Sequence, residues 1–478
     1  MNMYDNFQSS FSWRYASEEM RLIWSETNKR KLWRRIWVTL ARVQNEFGLV
    51  SAGQVQELAA HAEEIDMEAA LRMEAEIHHD LMAELKTFAA QCPKAGGVIH
   101  MGATSTDIED NADALRLRSA LDLVLRSLKS LLLALADRLD ETAGLPVMAY
   151  THIQPAEPST LGYRLAMYAQ DLMEDWLNLR QVRAGVRGKG FKGAVGTAAA
   201  YGDLIGMENL PRFEALLSAE LDLPFYPIST QTYPRKQDYT VLSALAGMGA
   251  SLHKFAFDLR LLQSPPIDEI SEPFGEKQVG SSAMPFKRNP INAEKIDSLA
   301  RLLSVYPQVA WQNAANSLLE RTLDDSANRR TILPEAFLIC DEILGVMRGL
   351  VKDMNIHRES IQRNLEMYAP FACTERVLMS TSKHGADRQE MHERLREHAL
   401  AAWQAVRTGQ ANPLVKRLQS DEKILCWISA AEIEQLSQVS SYTGIAEATS
   451  RALAVRIREV VALVPETAQQ NRFPPFQP

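Results

Sequence analysis

Between residues 113 and 139 the apolar side chains Leu117, Leu121, Val124, Leu128, Leu132, Leu135 and Leu139 recur at spacings of three and four, which places them on one face of a long helix. A stripe of that length needs other long helices beside it. The same period runs through residues 160–183, 239–262, 293–316, 332–352 and 446–464, and no series of short alternating β-branched runs bounded by turn pairs interrupts it. The expected fold class is all-α, built on a long central helical bundle. At 478 residues and 46% apolar content, the chain has ample material for a buried core and for about three domains. Apolar faces this extensive exceed what one chain covers, which points to association between chains.

Glycine and proline collect at residues 92–102, 143–158, 185–206, 264–290 and 473–478, the loops in which chemistry is expected. Composition shifts little along the chain, so its division is loose: an N-terminal helical domain at 1–110, a central long-helix domain at 111–365 and a C-terminal helical domain at 366–478.

Fifty-two basic against 60 acidic residues leave a net charge of −8, which excludes general nucleic-acid binding and makes any basic site a local one. Cys92, Cys340, Cys373 and Cys426 are scattered without a CxxC pair or zinc spacing, and are expected to be reduced and buried. The N-terminal residues carry no basic and apolar signal pattern, and the longest uncharged stretch, 302–319, contains Pro307, Gln308, Gln312 and Asn313. A cytoplasmic chain with no membrane span is expected.

Gly188, Gly190 and Gly193 fit GxGxxG, but a helical pattern precedes them and no βαβ unit surrounds them, so a dinucleotide site is not expected. His78, His79 and Asp80 sit together on what reads as a helix. Adjacent histidines there point about 100° apart, poor geometry for one metal ion. HExxH, GxSxG and Walker A patterns do not occur. The segment GEKQVGSSAMPFKRNP at 275–290 is different in kind: its glycines and prolines bar regular helix, while Ser281, Ser282, Lys277, Lys287 and Arg288 supply hydroxyls and positive charge. Such a loop is either a solvated linker or a mobile flap whose N–H groups and lysine stabilise an anion.

Every fixed position of GSSxMPxKxNP, the signature of the fumarase/aspartase superfamily, is filled from Gly280 to Pro290. MGATSTDIEDNA at 101–112 and THIQPAEPSTLGYR at 151–164 resemble the superfamily's other two common regions. ERTLDDSANRR at 320–330, SWRY at 12–15, HHD at 78–80, STQTYPRK at 229–236, GADRQEMHE at 385–393 and SSYTG at 440–444 are similar to segments of the adenylosuccinate lyase family, so the resemblance covers the chain nearly end to end.

That resemblance implies a C–N elimination that releases fumarate from adenylosuccinate, giving AMP, and from the succinyl-carboxamide ribotide of purine biosynthesis. It implies Ser281 as general base, His152 as general acid, Lys287 as a cation that lowers the proton affinity of Ser281, and Glu294 as the carboxylate that orients His152. Arg14, Tyr15, His78, His79, Asp80, Thr104, Ser105, Gln231, Ser282, Asn289, Lys295, Arg321, Ser326 and Arg330 match positions that hold phosphate, ribose, base or succinyl groups. Tyr15 alternatively stacks on the purine. Asp80, itself an anion, suits orienting His79 or meeting a ribose hydroxyl, and Lys295 stands where some members have arginine, offering a point charge in place of a fork. The family further implies a homotetramer whose active sites are shared between subunits, purine nucleotide substrates, and no metal or organic cofactor. The competing readings are another superfamily lyase, such as an argininosuccinate lyase or carboxymuconate cycloisomerase, and a helical scaffold protein without catalysis.

Overall fold

The computed structural model describes residues 5–439 and 442–462. The expected terminal loop at 473–478, the end of the 446–464 pattern and the start of SSYTG lie outside these. The elements that frame the site are, in chain order, helices α1 (Glu26–Glu46), α2 (Met67–Ile77), α3 (Asp80–Gln91) and α4 (Ser105–Thr142), strands β1 (Pro146–Thr151) and β2 (Gln154–Thr160), helices α5 (Leu161–Gly185) and α6 (Lys236–Leu262), strand β3 (Ile270–Ser271), helices α7 (Ile291–Leu303), α8 (Tyr306–Ala315) and α9 (Asp324–Asp353), strand β4 (Asn355–Ile356), and helices α10 (Arg358–Lys383), α11 (Arg388–Arg407) and α12 (Ala446–Ala462).

The architecture is predominantly helical, with a long central bundle. The leucine stripe lies within α4, whose 38 residues span about 57 Å at 1.5 Å per residue. Leu117, Leu121, Val124, Leu128, Leu132, Leu135 and Leu139 are all fully buried. Helices α5, α9 and α12 pack along α4, and α6 packs on α5, α7, α8 and α9.

Four details differ from the sequence reading. The 293–316 pattern is two helices because Pro307 has no N–H to bond the carbonyl of Leu303, and α8 starts anew with that proline in its first turn. Two small antiparallel pairs, β1–β2 and β3–β4, join the helices, and Val147, Met148 and Ile270 of these strands are buried in the same core as the leucine stripe. His78 and His79 are not on one helix: His78, at φ 53°, closes α2 in the left-handed conformation, and extended His79 caps α3 through Nδ1, 3.4 Å from the Met82 N–H. Cys92, Cys340 and Cys373 are free and buried, but Cys426 is free and exposed.

One apolar core runs from Met20 to Ala369 and takes in Ala454, Ile457, Val460 and Val461 of α12, while a second, smaller core joins Cys373 to Ile433. Residue 110 lies within α4 and residue 365 within α10. Among the described residues, no helix is long and apolar enough to cross a membrane.

Candidate functional site

The start of α4 is the best-built part of the site. Thr104 and Asp107 form a capping box, in which the Asp107 carboxylate accepts the Thr104 N–H at 3.0 Å. The same carboxylate accepts the N–H groups of Lys192 and Gly193, each at 3.2 Å, the Lys189 Nζ at 2.5 Å and the Tyr201 hydroxyl at 3.3 Å. Gly190 and Gly193 both have positive φ, so the glycine run that resembled a phosphate loop wraps one of the protein's own carboxylates. Lys189 is fully buried and also reaches the Gly193 carbonyl at 2.8 Å and the Thr106 hydroxyl at 3.4 Å. Burial lowers its pKa, and Asp107 opposes that shift. Thr106 in turn donates to the backbone carbonyl of Gln231, whose N–H donates to the Glu320 carbonyl at 3.2 Å. The 104–107, 189–193, 231 and 320 segments are thereby tied together.

One turn deeper, a buried ionic lattice fixes the arginine-rich start of α9. Arg235 bonds Asp325 at 2.6 Å and Asp110 at 3.0 Å. Arg329 bonds Asp238 at 2.8 Å, Asp113 at 3.2 Å and the Tyr233 hydroxyl at 2.7 Å. Although desolvation pushes the other way, the surrounding arginines hold the Asp113 and Asp325 carboxyls below the usual range. On this base, Arg321 reaches Asp325 and exposed Arg330 reaches Asp80, both at 2.8 Å. Pro334, inside α9, has no N–H for the carbonyl of Arg330 four residues back. His79 lies 3.8 Å from Asp80 and its Nε2 is 3.4 Å from Ser105 Oγ. His79, Asp80, Thr104, Ser105, Gln231, Arg321 and Arg330 thus belong to one connected region, and Ser326 lies on the first turn of α9 beside them, its N–H on the Leu323 carbonyl at 3.1 Å. Exposed His78 contributes the left-handed turn that leads into it.

A second region is the 275–290 loop. Ser281 Oγ, partly buried, accepts the N–H groups of Ala283 and Met284 at 3.3 and 3.1 Å. Asn289 Nδ2 donates to the Gly280 carbonyl at 3.0 Å, and a Cβ on Gly280 would meet the Lys287 carbonyl oxygen at 2.1 Å, so only glycine fits that crossing. Ser282 and Lys287 are exposed. The base of the loop is clamped by Glu272, which accepts the Ala293 N–H at 2.6 Å and the Asn292 N–H at 3.2 Å. Beyond it, Glu294 is exposed and 3.9 Å from Arg260, while Lys295 pairs with Glu342 at 3.0 Å. The other oxygen of Glu342 accepts the Ala16 N–H at 2.9 Å, which brings the Arg14–Tyr15 turn to this side.

His152 stands apart, exposed at the tip of the β1–β2 hairpin. Thr151 pairs with Gln154, and the two residues between, His152 and Ile153, have φ of 53° and 61°, as a two-residue type I′ connection requires. A β-branched isoleucine is costly there, which marks the tip as strained. Within this chain no hydrogen bond or ion pair among the described residues joins His152 to Ser281, Lys287 or Glu294.

Asp107, Lys189, Asp110, Arg235, Asp238, Asp325 and Arg329 escaped the sequence reading. The T-x-x-D spacing before a helical stripe signalled Asp107 as a capping residue, whereas the ionic lattice joins residues more than 80 positions apart and has no local signal.

Residues 13–302 match the family described as Lyase, and residues 370–452 match the one described as Adenylosuccinate lyase C-terminus. The chain is 38% identical over 451 residues to an adenylosuccinate lyase of Saccharomyces cerevisiae, covering 92% of each chain. It is 35% identical over 427 residues to that of Pyrococcus abyssi, covering 89% of this chain and 92% of the relative. In fold it resembles a 3-carboxy-cis,cis-muconate lactonizing enzyme from Pseudomonas putida, with a TM-score of 0.85 at 24% identity over 95% of this chain and 100% of the other. It likewise resembles a fumarate lyase from Mesorhizobium sp. BNC1, with a TM-score of 0.82 at 23% identity over 94% of this chain and 99% of that one. Fold likeness at such identity leaves the branch open, but the relatives identical at more than a third of positions do not: the chain belongs to the adenylosuccinate lyase family.

Proposed function

We propose that this chain releases fumarate from adenylosuccinate, and from the succinyl-aminoimidazole-carboxamide ribotide of purine biosynthesis, by C–N elimination with Ser281 as general base and His152 as general acid. Removing a proton from the carbon beside a carboxylate concentrates negative charge on that carboxylate, and the departing nitrogen must receive a proton. The observation that carries the assignment is the seat of Ser281 Oγ, which already accepts two backbone N–H groups. Donors aimed at a hydroxyl oxygen favour its ionised form, and closure of the loop adds the Lys287 charge and removes water. His152 supplies an imidazole that can pass a proton to the departing nitrogen, with Glu294 to orient it. Arg14, Tyr15, His78, His79, Asp80, Thr104, Ser105, Gln231, Ser282, Asn289, Lys295, Arg321, Ser326 and Arg330 hold the nucleotide and succinyl groups.

Because no hydrogen bond or ion pair among the described residues joins the hairpin tip, the loop and the Arg330 region within one chain, the complete site draws them from different subunits of a homotetramer. Outward apolar stripes support that assembly: Tyr163 and Met167 on α5, and Phe257 and Leu261 on α6, lie four residues apart and exposed. Free thiols, one of them at the surface, are in keeping with a cytoplasmic location and its reducing conditions.

Fumarate release from adenylosuccinate, followed by ultraviolet absorbance, tests the reading. Ser281→Ala and His152→Ala should each lower turnover by at least about 100-fold, the scale of a lost acid or base. Co-assembly of the two inactive variants should restore part of the activity, since some mixed sites then hold both residues. Native turnover in either variant overturns that residue's role, and no recovery on mixing overturns the sharing of sites between subunits.

A further inference from the structure

Along α4, Ser105, Glu109 and Asp113 stand four residues apart and so share one helical face. The outer two are engaged: Ser105 lies against His79, and Asp113 pairs with Arg329 and Arg116, each at 3.2 Å. Between them Glu109 is partly buried and, among the described residues, makes no side-chain hydrogen bond or ion pair. The charged groups that act on it are Asp80 of α3, Arg330 of α9, and Asp110 and Asp113 of its own helix. Asp110 is answered by Arg235, Asp113 by Arg329 and Asp80 by Arg330, which leaves Glu109 as the acid without a cation of its own. Desolvation and the three neighbouring carboxylates push its carboxyl up to about 7, against the pull of Arg330.

An anionic group that engages Arg330 must share it with Asp80, and it joins the charges that act on Glu109, of which Arg330 is itself one. An ionised Glu109 would repel that group, whereas the neutral acid has an O–H to offer it. We propose that Glu109 is a substrate-binding residue that keeps a proton, taken from solvent, and donates it as a hydrogen bond to an anionic oxygen of the nucleotide at Arg330, so that ligand binding takes up a proton. This rests on the activity proposed above and adds to it a residue and a linkage. No bond to hydrogen is broken: the proton stays on the Glu109 carboxyl while the ligand is bound.

The test is calorimetric titration of the full chain with AMP at about pH 7.5 to 8.5, where the phosphate, with its second pKa of about 6, is already a dianion. For the native chain the dissociation constant should rise about tenfold over that unit, and the binding enthalpy should vary with buffer ionisation enthalpy as for uptake of about one proton. Glu109→Gln, which keeps a donor but cannot ionise, should hold its affinity within about twofold over the same range. An equal slope in Glu109→Gln overturns the proposal. So does a native chain that binds AMP without proton uptake, a result that needs no variant. Adenylosuccinate turnover measured on the same native preparation separates the two readings. Fumarate release without proton uptake removes the Glu109 linkage alone, while absence of release removes the activity and the linkage with it.

Discussion

Asp107→Asn would leave the Lys189 ammonium fully buried beside a hydroxyl and a carbonyl with no countercharge. An uncompensated buried charge of this kind costs about 3–5 kcal/mol, so the midpoint of urea denaturation should fall accordingly. Leu58→Ala, fully buried in the larger apolar core, gives the comparison for simple loss of packing, about 2–5 kcal/mol. The two are told apart by activity, because Asp107 also sets the start of α4 and, through Thr106, the Gln231 segment. Asp107→Asn should therefore lower turnover on adenylosuccinate in the surviving folded fraction, and Leu58→Ala should not. The lowered carboxyls of Asp113 and Asp325 give a pH dependence with a definite sign. Their folded values lie below the ordinary aspartate value of about 3.9, so their contribution to stability is complete above that value and is lost as pH falls below it. Acid titration followed by circular dichroism should show unfolding beginning below about pH 4, and Arg329→Met should move its onset upward.

The helices were legible wherever periodicity ruled, and the exceptions have physical causes. The leucine stripe of α4 was found, but its first two turns, from Ser105, carry polar residues that face the ionic lattice, so the apolar pattern began late. The same holds for α9, where Asp324 to Arg330 are helical because of Arg321, Arg329 and their partners and carry no apolar face of their own. The hairpin was invisible to a search for alternating runs, since Pro155 and Pro158 and an isoleucine at positive φ all argue against strand and turn. The candidate site residues came from family likeness and local motif, while the lattice beneath them came only with tertiary structure. The 275–290 loop supplies a prediction at this scale. Gly280→Ala would drive a methyl into the Lys287 carbonyl and displace Ser281, lowering turnover by roughly 100-fold, as misplacement of a reacting group by about 1 Å does. The melting temperature should barely move, because the loop contributes to neither apolar core.

Across the whole molecule, α12 returns from the C-terminal part of the chain to pack on α4 and α5, so the smaller core is bracketed in sequence by segments of the larger one. The outward stripes of α5 and α6 give the assembly a test: Met167→Glu with Phe257→Glu should shift sedimentation to smaller species and abolish turnover, with helical content retained. Loss of assembly with full turnover would contradict shared sites. The strained connection at His152 and Ile153 has its own consequence. Asn-Gly at these positions suits a type I′ geometry far better, and by that measure the hairpin would hold more firmly with it. A laboratory selection that rewards heat endurance alone would thus drift toward Asn-Gly at 152–153, and its hardiest survivors would have traded away the imidazole proposed to protonate the departing amine.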